Sequence, residues 1–150
     1  MTTKATIDGF LESAALAVVG VSRSGTKFGN AVFQDLRDKG WAVYPVNPHA
    51  DEIHGARCYH SVEELPEDVE GVVVVVPPDQ SEAVVRQAAS SGVRRVWLQQ
   101  GAESEATLAA CDELGLEAVS KECILMYAEP VGSLHRFHRF LKRVFGRMPA

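Results

Sequence analysis

The chain has only a few cysteines and neither a long apolar run nor a repeat, and each shortage removes a class of protein. Its 150 residues include three cysteines, Cys58, Cys111 and Cys123. An odd number without paired C-x-x-C spacing suggests neither a disulfide framework nor a zinc site, so reduced thiols in a cytoplasm are expected. No apolar run approaches the roughly 20 residues needed to span a bilayer, and the opening MTTKATIDGFLESA lacks the apolar core of a secretion signal. A soluble, cytoplasmic protein is the expectation. The net charge of −5 gives no general attraction to nucleic acid or to an anionic membrane. None of the five histidines sits with a serine or cysteine in a nucleophile motif. His49, His54 and His60 are expected on the surface.

What is present is core material: 46% of the residues are hydrophobic, enough for one buried domain. Two runs, Ala15 to Val21 and Gly71 to Pro77, are β-branched and unbroken by polar residues, the pattern of strands covered on both faces. Trp41 to Val46, Val93 to Gln99 and Leu116 to Ser120 read as further strands. Between them Phe28 to Lys39, Asp79 to Ser91 and Ser104 to Leu114 carry helical spacing, closed by Gly40, Gly92 and Gly115. Alternating strands and helices predict an α/β fold, a Rossmann-like doubly wound sheet of five parallel strands in a single domain, with an N-terminal helical segment. Asp51 to Leu65 reads as a loop with one small helix.

In such a sheet the ligand sits outside the carboxyl ends of the strands, beside the first strand-to-helix turn. Here that turn is VVGVSRSGTKFG, Val18 to Gly29. Gly20 permits a tight turn, Ser22 can donate its hydroxyl to a phosphate oxygen, and the helix beginning near Phe28 offers free N–H groups and a positive dipole end. Arg23 and Lys27 flank it. The turn reads either as a phosphate cradle or as a surface turn with solvated cations. A dinucleotide is disfavoured, because Ser22 replaces the second glycine of G-x-G-x-x-G and the tip of the second strand, YPVNPHA, puts Asn47 and Pro48 where an acid would hold the ribose. Pro77 and Pro78 end the third strand, either as a rigid terminator alone or as flat apolar rings for a base to lie against.

Taken in order, VVGVSRSGTKFGNAVFQDL, GWAVYPVNP, EIHGARCYHSVEELP, VVVVVPP, VRRVWLQQG and SKECILMYAE resemble the small stand-alone CoA-binding protein family, related to the CoA-binding domain of the succinyl-CoA synthetase α subunit. The resemblance runs from about Leu11 to Glu129. It implies that coenzyme A, or an acyl-CoA, is the ligand, with its phosphates on Gly20, Ser22, Arg23 and Lys27. Asn47 and Pro48 would form the second-strand tip, Val76, Pro77 and Pro78 the adenine-side wall, and Gln99, Gln100 and Gly101 the fourth-strand loop. Its pyrophosphate and 3′-phosphate carry more negative charge than NAD, which suits two cations beside the turn.

The synthetase relatives keep their phosphohistidine and acyl-phosphate chemistry in additional domains, so the resemblance implies a binding module with no catalytic residue. The alternative is an NAD(P)-binding redox sensor or enzyme on the same fold. Cys123 reads either as core or as a thiol near the pantetheine end. After Pro130, VGSLHRFHRFLKRVFGRMPA contains five Arg or Lys and no acid, with apolar residues at helical spacing. A division into a domain over 1–129 and a basic amphipathic helix over 130–150 is expected. That helix reads as packing on the domain or a second subunit, or as a surface for a protein partner.

Overall fold

The computed structural model describes residues 2–130; the expected C-terminal helix lies outside the described residues. The elements follow in chain order as α1 (Lys4–Leu11), β1 (Ala15–Val19), α2 (Phe28–Asp38), β2 (Val43–Val46), β3 (Glu52–Ile53), β4 (Ala56–Arg57), β5 (Val69–Val74), α3 (Pro78–Ser90), β6 (Arg95–Gln99), α4 (Glu105–Leu114) and β7 (Glu117–Glu122). Two 3₁₀ turns, Val62–Glu64 and Ile124–Met126, complete the path. Five strands form one parallel sheet in the order β2-β1-β5-β6-β7, the doubly wound topology expected from the sequence.

The unbroken apolar strands have the cause inferred for them. Leu16, Val18, Val73, Trp97 and Val119 point to one face, where Phe10 of α1 and Val32, Phe33 and Leu36 of α2 cover them. Ala15, Ala17, Val72, Val74, Val96 and Leu98 point to the other, beneath Val84, Val85 and Ala88 of α3 and Ala110 and Cys111 of α4. Alternate residues enter two cores, so neither face has a place for polar residues.

Three strands begin later than expected, for one shared reason. Trp41, Val93 and Leu116 each follow the glycine that closes a helix, and their N–H groups donate back to Leu36 O, Ala88 O and Cys111 O. They are the sixth residue of a helix-terminating motif, whose apolar side chain packs under the helix end, and the sheet ladder starts only beyond them. β7 in turn runs past Ser120 to Glu122 through a bulge opposite β6, with Lys121 left-handed at φ 62°.

The segment after β2 departs furthest from expectation. Where a loop was anticipated, β3 and β4 form an antiparallel hairpin joined by His54 and Gly55, both at positive φ (51° and 76°), as a type I′ turn requires. The small helix is the Val62–Glu64 turn. Among the described residues no helix is long and apolar enough to cross a membrane.

Candidate functional site

In this strand order β2 lies on one side of β1 and β5 on the other, so the crevice opens at the carboxyl ends of β1 and β5. Gly20 leaves β1 at φ 121°, and a Cβ there would lie 2.2 Å from Val75 O. A Cβ on Gly29, in the first turn of α2, would lie 2.3 Å from Gly20 O. The exits of β1 and β5 and the start of α2 are therefore pressed together at two points that only glycine permits. These glycines stand nine positions apart, whereas the outer glycines of G-x-G-x-x-G stand five apart. The additional residues form a longer loop.

That loop is internally ordered. Gly25 N donates to Ser22 O (3.1 Å), Ser24 N donates to Ser22 Oγ (3.2 Å), and hydroxyls run from Ser22 to Ser24 (2.9 Å) and on to Thr26 (3.0 Å). Lys27 is the N-cap of α2 in extended conformation, without a side-chain cap. The N–H groups of Thr26, Lys27, Phe28 and Gly29 have no partner among the described residues, and neither Arg23 nor Lys27 has an ion-pair partner there. Backbone donors, a helix N-terminus and two cations on one loop have the chemistry that suits a polyanion.

Asn30, fully buried on the inner face of α2, holds this loop by both ends of its amide. Its Oδ1 accepts from Ser22 N (2.8 Å), and its Nδ2 donates to Ser22 O (2.9 Å) and lies 3.0 Å from His54 Nε2. The bond from Ser22 N fixes which end of the amide is oxygen, so Nδ2 donates and His54 Nε2 accepts, leaving the ring proton on Nδ1. Gln34 Nε2 lies 3.1 Å from the same imidazole nitrogen, Phe33 stacks on the ring at 6.2 Å between centroids, and Arg37 Nη1 donates to His54 O (2.7 Å). His54 is thus half-buried and engaged, which corrects the expectation of a surface histidine; His49 and His60 are exposed. Sequence reasoning missed both Asn30 and His54. A polar residue among the apolar positions of α2, four before Gln34, was the available signal for Asn30; His54 carried none.

The other anticipated residues take different positions. Asn47 Nδ2 donates to Val21 O (2.9 Å) and its Oδ1 accepts from His49 N (2.7 Å), tying the tip of β2 to the loop, with Pro48 exposed beyond it. Val76 is half-buried at the exit of β5; Pro77 and Pro78 are exposed, Pro78 opening α3 at the position where a missing N–H costs nothing. Gln99 faces inward, 2% exposed, its Oε1 accepting from Ile124 N (3.1 Å), while Gln100 and Gly101 are exposed. Gln99 therefore holds the segment after β7 rather than opening onto solvent.

Cys123 is half-buried beside that segment, and Met126 is 82% exposed. Burial pushes the Cys111 thiol up to about 11 and raises Cys58 as well. Among the described residues no cluster of His, Cys, Asp or Glu is arranged to hold a metal ion. A cleft of about 410 Å³ lies at the opposite, amino-terminal end of the sheet, lined by Glu63, Glu67, Ser90 and Val93 among others. Its carboxylates suit no anion.

Fold and crevice together define a Rossmann-like domain whose first turn is basic and bounded by two closely packed glycines. Residues 14–129 match the CoA binding domain family, and the chain belongs to it. A conserved hypothetical protein from Pyrococcus furiosus is 42% identical over 76% of this chain and 98% of its own, with a TM-score of 0.73. The dinucleotide-forming acetyl-coenzyme A synthetase 1 of Ca. Korarchaeum cryptofilum, in its apo form, is 30% identical over 70% of this chain and 25% of its own, with a TM-score of 0.63. The ADP-forming acetate–CoA ligase of Methanocaldococcus jannaschii is 35% identical over 80 residues, 53% of this chain. The match spans only 11% of that ligase.

Proposed function

We propose that residues 1–129 bind coenzyme A or an acyl-CoA at the carboxyl ends of β1 and β5, as a binding module without chemistry of its own. The observation that carries this reading is the loop between Gly20 and Gly29, whose two glycines bring backbone donors to one point while Arg23 and Lys27 have no ion-pair partner among the described residues. The donor set fits phosphate groups: cations for charge, Ser22 and the first N–H groups of α2 for hydrogen bonds. Pro77, Pro78 and Val76 supply an apolar wall for the adenine, Asn47 and Pro48 shape the β2 side, and Gln100 and Gly101 border the pantetheine path. Gln99 acts from behind by holding the main chain at Ile124.

When bound, coenzyme A would supply a thiol or thioester; the residues here bind and orient it. A nicotinamide dinucleotide is disfavoured because the β2 tip offers an amide already spent on Val21 O and His49 N in place of a ribose-binding carboxylate. Calorimetric titration with CoA, acetyl-CoA, NAD and NADP at two salt concentrations tests the reading. Binding of CoA that weakens with salt, and none of NAD, is expected; absence of CoA binding overturns it.

A further inference from the structure

We infer that His54 is a positioning residue for the ligand loop, acting through Asn30 from a hairpin outside the crevice. The imidazole is wedged between elements. Phe33 stacks on it with only 12° between the ring planes, Asn30 and Gln34 offer amide nitrogens to its Nε2, and a Cβ on Gly25 would lie 3.2 Å from its Cε1. The Ser22–Lys27 loop thus rests on the ring at Gly25 and is clasped at Ser22 by the amide that the ring holds. Both backbone groups of Ser22 are committed to Asn30, so the loop cannot rotate at that residue without breaking two hydrogen bonds at once.

His54 is placed there at a conformational cost. It sits at φ 51°, a left-handed backbone that histidine adopts less readily than asparagine or glycine. Asn-Gly is the favoured pair for a type I′ turn, so the turn alone would prefer asparagine at 54. The imidazole supplies a reach that asparagine lacks: Nε2 lies three bonds beyond Cβ, where an asparagine amide ends after two. The structure therefore separates two roles, turn former and loop support, that different residues serve best.

That separation makes the inference testable with two variants. His54→Asn keeps or improves the turn but does not reach Asn30; His54→Gln is a poorer turn former whose amide oxygen lies three bonds from Cβ and can accept from Asn30. Amide hydrogen exchange of Ser22, Ser24 and Gly25, the loop amides that donate hydrogen bonds, is measured in the ligand-free protein, beside the thermal midpoint and CoA titration. In His54→Asn these three amides should exchange about tenfold faster at an unchanged or higher midpoint, with Gln restoring slow exchange. The consequence for affinity rests on the CoA reading: CoA should bind about tenfold more weakly to the Asn variant and recover with Gln. Loop exchange in His54→Asn equal to that of the parent overturns the inference, as does an order that follows turn preference, with Gln the loosest. Altered loop exchange in a protein that binds no CoA upholds the positioning role and overturns the ligand assignment instead.

Discussion

Gly29, in the first turn of α2, lies so close to Gly20 at the exit of β1 that a Cβ on Gly29 would stand 2.3 Å from the Gly20 carbonyl oxygen. This pinch sets the entry angle of the helix, and with it the direction in which its free N–H groups point. The distance is to backbone, which cannot swing aside as a flexible side chain would.

Gly29→Ala should therefore cost about 3 kcal/mol in a urea unfolding titration, at the upper end of what overpacking usually costs. Gly92→Ala is the contrasting case. Nothing lies within 4 Å of the added carbon there, and only the φ of 86° opposes it, so about 1 kcal/mol is expected from the left-handed backbone alone. Equal costs at the two sites would show that the close approach at Gly29 is not felt.

Arg23→Ala and Lys27→Ala should leave unfolding midpoints unchanged within about 0.5 kcal/mol, because both side chains are exposed and neither forms an ion pair among the described residues. CoA affinity should fall by about tenfold for each through loss of a charge-assisted phosphate contact, and the double variant should lose most of its salt dependence. Undiminished affinity in the double variant refutes the loop as the phosphate site.

Gln99→Leu keeps the bulk of the side chain and removes the acceptor of Ile124 N. An orphaned N–H in the core costs about 1–3 kcal/mol, visible as a lowered thermal midpoint and faster exchange of the Ile124 amide. A neutral substitution would mean that the segment after β7 is held by its apolar side chains alone.

The thiols should separate by burial. An aromatic disulfide reagent at pH 8 should label Cys123 in the folded protein and all three cysteines after denaturation, since the Cys111 thiol is pushed up to about 11 and Cys58 is also raised. The same shift makes stability depend on pH. Between the ordinary thiol value of 9.0 and about 11 the unfolded Cys111 releases its proton while the folded one keeps it, so stability is fully present below pH 9 and falls as pH rises through that window. A Cys111→Ala variant should lose that slope in alkaline unfolding curves; an unchanged slope would assign it to other groups.

The central strands β1 and β5 were legible because they are covered on both faces, which forces a nearly unbroken apolar run, and helices α2, α3 and α4 because a glycine closes each apolar-periodic stretch. The exact starts of β2, β6 and β7 were not, since Trp41, Val93 and Leu116 are as apolar as strand residues while their N–H groups close the preceding helix. The hydroxyl and the two cations that Ser22, Arg23 and Lys27 bring to the loop showed in residue type alone. The roles of Gln99 and His54 did not, because an amide or an imidazole reads the same whether it meets a ligand or a neighbouring main chain.

By itself the sequence determined the layered α/β architecture and the basic, glycine-bounded turn, which follow from local periodicity and residues adjacent in the chain, and its ordered motifs carried the resemblance to the family. Tertiary structure alone decided that Asn30 meets His54 across 24 positions and Gln99 meets Ile124 across 25. The reason is physical. A hydrogen bond requires its atoms within about 3 Å of one another, and for residues so far apart in sequence that distance is set by how the strands are ordered and the helices packed.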